Sequence, residues 1–331
     1  MGVTRSWDGF ERWTGLSTRD GVLLAQGHVG EEAGYAGRAR AFDAATLEPL
    51  GPAFDVEGAV CLASPVGLRS APVVVHAVPG ALMLLDPRTG SPLRRVPLRG
   101  REGWRGDPTG LVVGAVGGRS TVFVLDEEPG NEHAWWAVDL DTGAAVPGLG
   151  DGFRAHHLTR ERLVLAGGYL IVPVQRVRVD DFLMDEVEDA CRRVYRSSDG
   201  RRIAEIECDG GEETVAAVVG GRPLMVVSGR VYALPGLEPV ADLGRVPGRT
   251  VSDLTEWAGL PVAVFAQEGG GHLTGGDRPF RLFFRFLDGP DRPTVEIPWT
   301  GAHGLHDMVA TADGTVVVST VEGVHALRVD L

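Results

Sequence analysis

The chain has 331 residues, 44% of them hydrophobic, a length that suits either two ordinary domains or one large closed β architecture. Its net charge is -13 and all 32 basic residues are arginine, which excludes the clustered positive charge of a nucleic-acid footprint and every chemistry built on lysine, from a P-loop to a Schiff base. The missing lysine and the single asparagine, Asn131, read as the codon bias of a GC-rich genome, not as a functional choice.

Cys61, Cys191 and Cys208 form no CxxC pair and leave an odd count, which points away from a disulfide framework and towards a reducing cytoplasm. The N-terminus lacks a signal peptide's apolar core, and no 18-residue apolar run is present, so no membrane contact is expected. Met1, Gly2 and Ser6 match the loose myristoylation pattern, a chance match in a chain of this composition.

Along the chain one turn recurs. FDAATLEPLG (Phe42 to Gly51) returns as LDPRTGSPLR (Leu85 to Arg94), VDLDTGAAVP (Val138 to Pro147) and ALPGLEPVAD (Ala233 to Asp242). Anchored on Asp43, the pattern recurs at Asp86, Asp139, Arg196, Ala233, Asp288 and, cut short by the chain end, Asp330, giving seven copies. Repeats of about 40 to 45 residues with four strand signals each mark propeller blades.

The shortest copy shows the plan: Val215 to Val219, a GGRP turn, Leu224 to Ser228, Val231 to Leu234, the anchor turn, then Val240 to Leu243. The expected fold is all-β, a seven-bladed propeller of four-stranded antiparallel blades in a single domain. Blades fall near 11–55, 56–98, 108–150, 155–207, 214–244, 250–298 and 304–331, the last completed by a strand from 1–10 that closes the ring. In each, the anchor turn joins the third strand to the fourth, with Asp or Thr bonding nearby backbone and Gly allowing positive φ.

LLDPRTGSPL, AVDLDTGAAV, ADGTVVVSTVEGVHALRVD and the run Gly301 to Gly304 resemble the WD-repeat propellers of the actinobacterial type, in a degenerate form. Phe42-Asp43, Leu85-Asp86 and Val138-Asp139 stand where the family has Trp-Asp, and His303 matches its Gly-His position. The resemblance implies a docking surface without chemistry of its own. Quinoprotein-like and lactonase-like propellers are cousins by the same pattern.

Blades one, three, four and six carry extra length between their second and third strands, near His28 to Gly37, Asp126 to His133, Gln175 to Ala190 and Gln267 to Pro279. In a propeller these loops share one face with the connections between blades, so the insertions are expected on one side of the disc, where binding sites usually sit. Within the fourth, Leu183, Val187, Ala190 and Val194 have helical spacing, which predicts a short acidic helix near 178–192 that includes Asp181.

That face collects seven of the nine histidines: His28, His133, His156, His157, His272, His303 and His306. The first reading is a non-catalytic platform that binds a protein, peptide or small molecule through His28, Glu32, Trp104, His133, His156, Asp181, His272 and Arg278, the chain acting as a monomer. The second is a propeller enzyme, a lyase, isomerase or cyclase, in which His157, His303, His306, Glu132 and Asp253 move protons. No cofactor is required by the first reading. In the second, His28, His133 and His272 would hold a divalent metal, an arrangement that resembles streptogramin-lyase-like propellers by fold analogy.

Overall fold

The computed structural model describes residues 3–7, 12–28, 36–57, 60–63, 72–78, 80–98, 110–116, 119–128, 132–146, 153–156, 163–179, 185–208, 214–244, 250–257, 259–267, 280–288, 295–297, 305–311, 313–320 and 323–328. Runs such as Val73–Val75 and Thr315–Thr320 are apolar or buried at consecutive positions, so these strands need apolar cover on both faces. They obtain it by standing in sheets packed face to face around a ring.

Blade 1 consists of β2 (Arg12–Arg19), β3 (Val22–His28), β4 (Ala36–Asp43) and β5 (Phe54–Glu57). Blade 2 has β6 (Val60–Ala63), β7 (Val73–Val78), β8 (Ala81–Leu85) and β9 (Pro92–Pro97). Blade 3 has β10 (Gly110–Val116), β11 (Arg119–Glu128), β12 (Glu132–Asp139) and β13 (Phe153–His156). Blade 4 has β14 (Val164–Ala166), β15 (Tyr169–Val179), β16 (Asp185–Arg196) and β17 (Arg202–Cys208). Blade 5 has β18 (Val215–Val219), β19 (Arg222–Val227), β20 (Arg230–Ala233) and β21 (Glu238–Asp242). Blade 6 has β22 (Thr250–Trp257), β23 (Leu260–Gln267), β24 (Phe280–Phe286) and β25 (Val295–Ile297). Blade 7 has β26 (Leu305–Ala310), β27 (Thr315–Thr320) and β28 (Gly323–Arg328), and its fourth strand is β1 (Val3–Trp7), which runs antiparallel to β28 with Trp7 opposite Val324.

All seven sheets are four-stranded and antiparallel, in the order expected. The first strands β2, β6, β10, β14, β18, β22 and β26 each touch the next, and β26 returns to β2, which closes an inner ring. Seven apolar clusters follow, one at each blade junction. The largest side chain among them, Trp257, sits between blades 6 and 7 with Phe284, Met308 and Val318.

Six of the seven anchors lie at or just past the end of a third strand; Asp330 lies outside the described residues. In blade 3 the Asp139 carboxylate accepts the N–H groups of Asp141 (3.0 Å) and Thr142 (2.9 Å) and the Thr142 hydroxyl (3.0 Å). Asp43 repeats this with Ala45 and Thr46. The fifth residue of the turn needs positive φ: Gly90 and Gly143 supply it freely, while Leu47 adopts φ 58° at that place, where burial of its side chain offsets the strain. These turns also dock on the preceding blade. Arg94 of β9 donates to the Leu140 carbonyl at 2.6 Å, and a Cβ at Gly143 would collide with the Pro97 carbonyl.

Three expectations change. Residues 185–196 are a strand, not part of a helix near 178–192; Leu183 and Asp181 lie outside the described residues. The cause is a β-bulge: Asp189 faces Arg176 and Val187 faces Val177, which leaves Glu188 as the extra residue. The face carrying Val194 and Ala190 therefore resumes three residues earlier at Val187, and strand alternation takes on a helical spacing. Next, Phe153–His156 is the fourth strand of blade 3, so blade 4 opens at Val164 and not at 155. Finally, extra length is not confined to one rim. The connections from Ala63 to Val73 and from Phe286 to Val295 join first to second and third to fourth strands, at the end opposite the four insertions.

Candidate functional site

Antiparallel order makes strand two end, strand three begin and strand four end at one rim, together with the start of the next blade's first strand. The C-terminal end of β3 brings His28 there, the start of β12 brings Glu132 and His133, the end of β13 brings His156, and the start of β26 brings His306. Glu32, Trp104, His157, Asp181, His272, Arg278 and His303 lie outside the described residues.

Register brings two of these positions together: Glu132 and His156 are direct partners across β12 and β13. His28 is opposite Arg12 in blade 1. His133 stands on a third strand and His28 on a second, two blades apart, so neither belongs to the inner ring. His306 and Asp253 are the sequence-predicted site residues whose described strands line it. Among the described residues no group of three or more His, Cys, Asp or Glu is placed to hold a metal ion.

The same rim bears the long second-to-third-strand hairpins of blades 4 and 3. β15 and β16 stay paired out to Val179 opposite Asp185, while among the described residues β17 pairs with β16 as far as Ala190 and β14 with β15 as far as Ile171. Over this arm the described pairing is two-stranded, with Arg176 and Arg178 on one strand in register with Asp189 and Glu186 on the other, and β13 of blade 3 runs against β15. β11 and β12 pair out to Glu128 opposite Glu132, past the last described β10 partner at Leu125, but here β13 stays alongside, with His156 opposite Glu132.

Asp253 is part-exposed on β22. Its Oδ1 accepts the Leu254 N–H and its Oδ2 the Ala310 N–H of the next blade, both at 2.8 Å. Enclosure by the disc pushes its carboxyl up to about 7; the two N–H bonds oppose this and the like charge of Asp307 adds to it. Asp307, which sequence reading passed over, repeats the geometry one blade on, accepting its own neighbour Met308 N–H at 2.9 Å and the Leu16 N–H of blade 1 at 2.8 Å. Asp253-Leu254 and Asp307-Met308 share a trace in the sequence, an aspartate ahead of an apolar residue on an inner strand, which does not by itself reveal the partner in the next blade. His325 is part-buried in β28, with its Nε2 3.3 Å from the Thr320 hydroxyl and its pKa lowered by burial.

No family model matches the chain, and no curated protein matches it. Among solved structures the chain is similar to the WD40 β-propeller domain of Doa1, with 10% identity and a TM-score of 0.57 over 98% of this chain and 95% of that one. It also aligns with the β-propeller domain of the Trilobed protease from Pyrococcus furiosus, with 10% identity and a TM-score of 0.48, covering 96% and 92%. At these identities the likeness shows the propeller fold alone. Among the described residues no helix is long and apolar enough to cross a membrane.

Proposed function

We propose that the chain is a non-catalytic binding platform, and that the rim bearing the second-to-third-strand hairpins takes a basic, extended polypeptide segment. The observation that carries this reading is the blade 4 arm, where β15 and β16 stay paired out to Val179 opposite Asp185 and, among the described residues, no β17 partner faces Asp185–Asp189. Four of those five residues are acidic, in a chain of net charge -13, so a partner rich in Lys and Arg complements the edge. The enzymatic alternative gains no such support from Asp253, whose two oxygens both accept backbone N–H bonds.

Random-peptide display on the intact protein, counter-selected on a variant whose residues 177–187 are replaced by a two-residue Asn-Gly turn, tests the proposal. Basic peptides should be enriched and should lose at least tenfold in affinity on the shortened variant, whose thermal unfolding stays within about 3 °C of the parent. Binders indifferent to the arm, or acidic ones, overturn it.

A further inference from the structure

The inner ring has two unlike halves. The first strands of blades 2 to 5, β6, β10, β14 and β18, read VCLA, GLVVGAV, VLA and VAAVV, wholly apolar apart from Cys61. Those of blades 6, 7 and 1, β22, β26 and β2, read TVSDLTEW, LHDMVA and RWTGLSTR. An inner strand points its side chains into the junctions with the neighbouring blades, so what a mid-strand side chain leaves exposed opens on the axial channel. Val112, Val113, Val164 and Leu165 are part-exposed in this way in blades 3 and 4, and so are Asp253 and Asp307 in blades 6 and 7.

In a ring of seven, the blade directly across the axis from the junction of blades 6 and 7 is blade 3. The two aspartates flank that junction, since Asp253 bonds from β22 to the Ala310 N–H of β26 and Asp307 stands on β26 itself. Their height matches too: Asp253 and Val112 stand equally far from Trp257 and Val116, where their strands turn into the next. Of the seven inner strands only β2 carries arginine, at its two ends, so at mid-height these strands supply negative charge on one side and hydrocarbon on the other. We propose that the axial channel binds an alkylammonium, a small organic cation with a hydrocarbon body, whose ammonium meets Asp253 and Asp307 and whose chain lies along Val112, Val113, Val164 and Leu165. Each Asp253 oxygen accepts one backbone N–H, and an ionised carboxylate has about four acceptor sites, so the ammonium has acceptors to use. The apolar wall across the axis selects a cation with a tail over a hydrated metal ion, and the carboxylates select against an anion.

Calorimetric titration of the intact protein at about pH 8 tests this with octylammonium, butylammonium, 1-octanol and octanoate, all below micellar concentrations. Octylammonium should bind once per chain, and butylammonium, with fewer methylenes on the apolar wall, about a hundredfold more weakly. Octanol, which lacks the charge, should bind about tenfold more weakly than octylammonium, and octanoate should not bind. Asp253→Asn combined with Asp307→Asn should bring octylammonium down to the level of octanol. Val112→Thr, which keeps the shape of the wall and sets a hydroxyl on it, should weaken both alike. Octanoate binding as tightly as octylammonium, several ligand molecules held per chain, or an octylammonium affinity unchanged in the doubly substituted chain overturns the proposal. Should that chain fail to fold, the ligand series on the unaltered protein and on Val112→Thr decides.

Discussion

The outer turns and the inner ring employ the same bond, a carboxylate accepting backbone N–H groups, with opposite electrostatic results. At the outer turn of blade 3, Asp139 loses solvent, which alone would raise its pKa, but the N–H and hydroxyl of Thr142 with the Arg119 guanidinium outweigh this and hold it below the usual carboxylate range. At the inner ring Asp253 has two N–H donors and a like charge, with no hydroxyl or guanidinium among the described residues bonded to it, and enclosure wins. Donor count and local counter-charge, set against burial, decide whether a repeated aspartate stabilises the ring in alkali or in acid.

The largest expected effect separates a turn that is merely local from one that fastens two blades. Gly143 has φ 70° and no room for a Cβ beside Pro97, whereas Gly21 has φ 77° with nothing within 4 Å. Gly143→Ala should cost about 3 kcal/mol, combining strain with overpacking, and Gly21→Ala about 1 kcal/mol from strain alone. Urea unfolding midpoints measure both. Equal losses would mean that the outer turns contribute nothing to blade docking.

Much of this architecture was legible because it is repeated. A strand-ending turn with positive φ at its fifth place demands Asp, Thr and Gly at fixed offsets, so Asp43, Asp86 and Asp139 mark blades without knowledge of any contact. Blade 5 was read almost to the residue, since short strands between Gly220-Gly221 and Gly229 leave no alternative. What failed were features that depend on a neighbouring strand. The bulge at Glu188 shifts phase in a way that a one-dimensional pattern reads as helical, and Phe153–His156 joins blade 3 only through its pairing with β12. At the site, placement of His28, His133, His156 and His306 at one rim followed from strand order, but the Asp253 clasp could not, because its partner Ala310 is 57 residues away.

The intermediate effect sharpens the pH contrast. Asp139→Ala removes the acceptor of two N–H groups and a hydroxyl, together with an ion pair to Arg119 at 3.3 Å, and should cost about 2 kcal/mol at pH 7. A depressed carboxyl contributes stability that is present above its unfolded pKa of 3.8 and lost as pH falls through the lower folded value. The melting temperatures of variant and parent should therefore converge below about pH 3. A constant gap down to pH 2 would show that Asp139 acts through shape and not through charge.

The smallest effect asks whether burial grades the repeated turn. Thr142 donates its hydroxyl to Asp139 and accepts the Ala144 N–H at 3.3 Å; Thr46 does the same with Asp43 and the Glu48 N–H. Valine keeps the branched shape and removes both bonds, so Thr142→Val should cost about 1 kcal/mol. Asp43 is less buried than Asp139, and water can take over the freed N–H groups of its turn, which makes Thr46→Val the milder change. Denaturant midpoints of the two variants give the order directly. Were Thr46→Val the costlier, exposure would not be what ranks these turns, and the strained backbone at Leu47, φ 58° where Gly143 has 70°, would be the reason, because a turn already under strain depends more on its side-chain bonds.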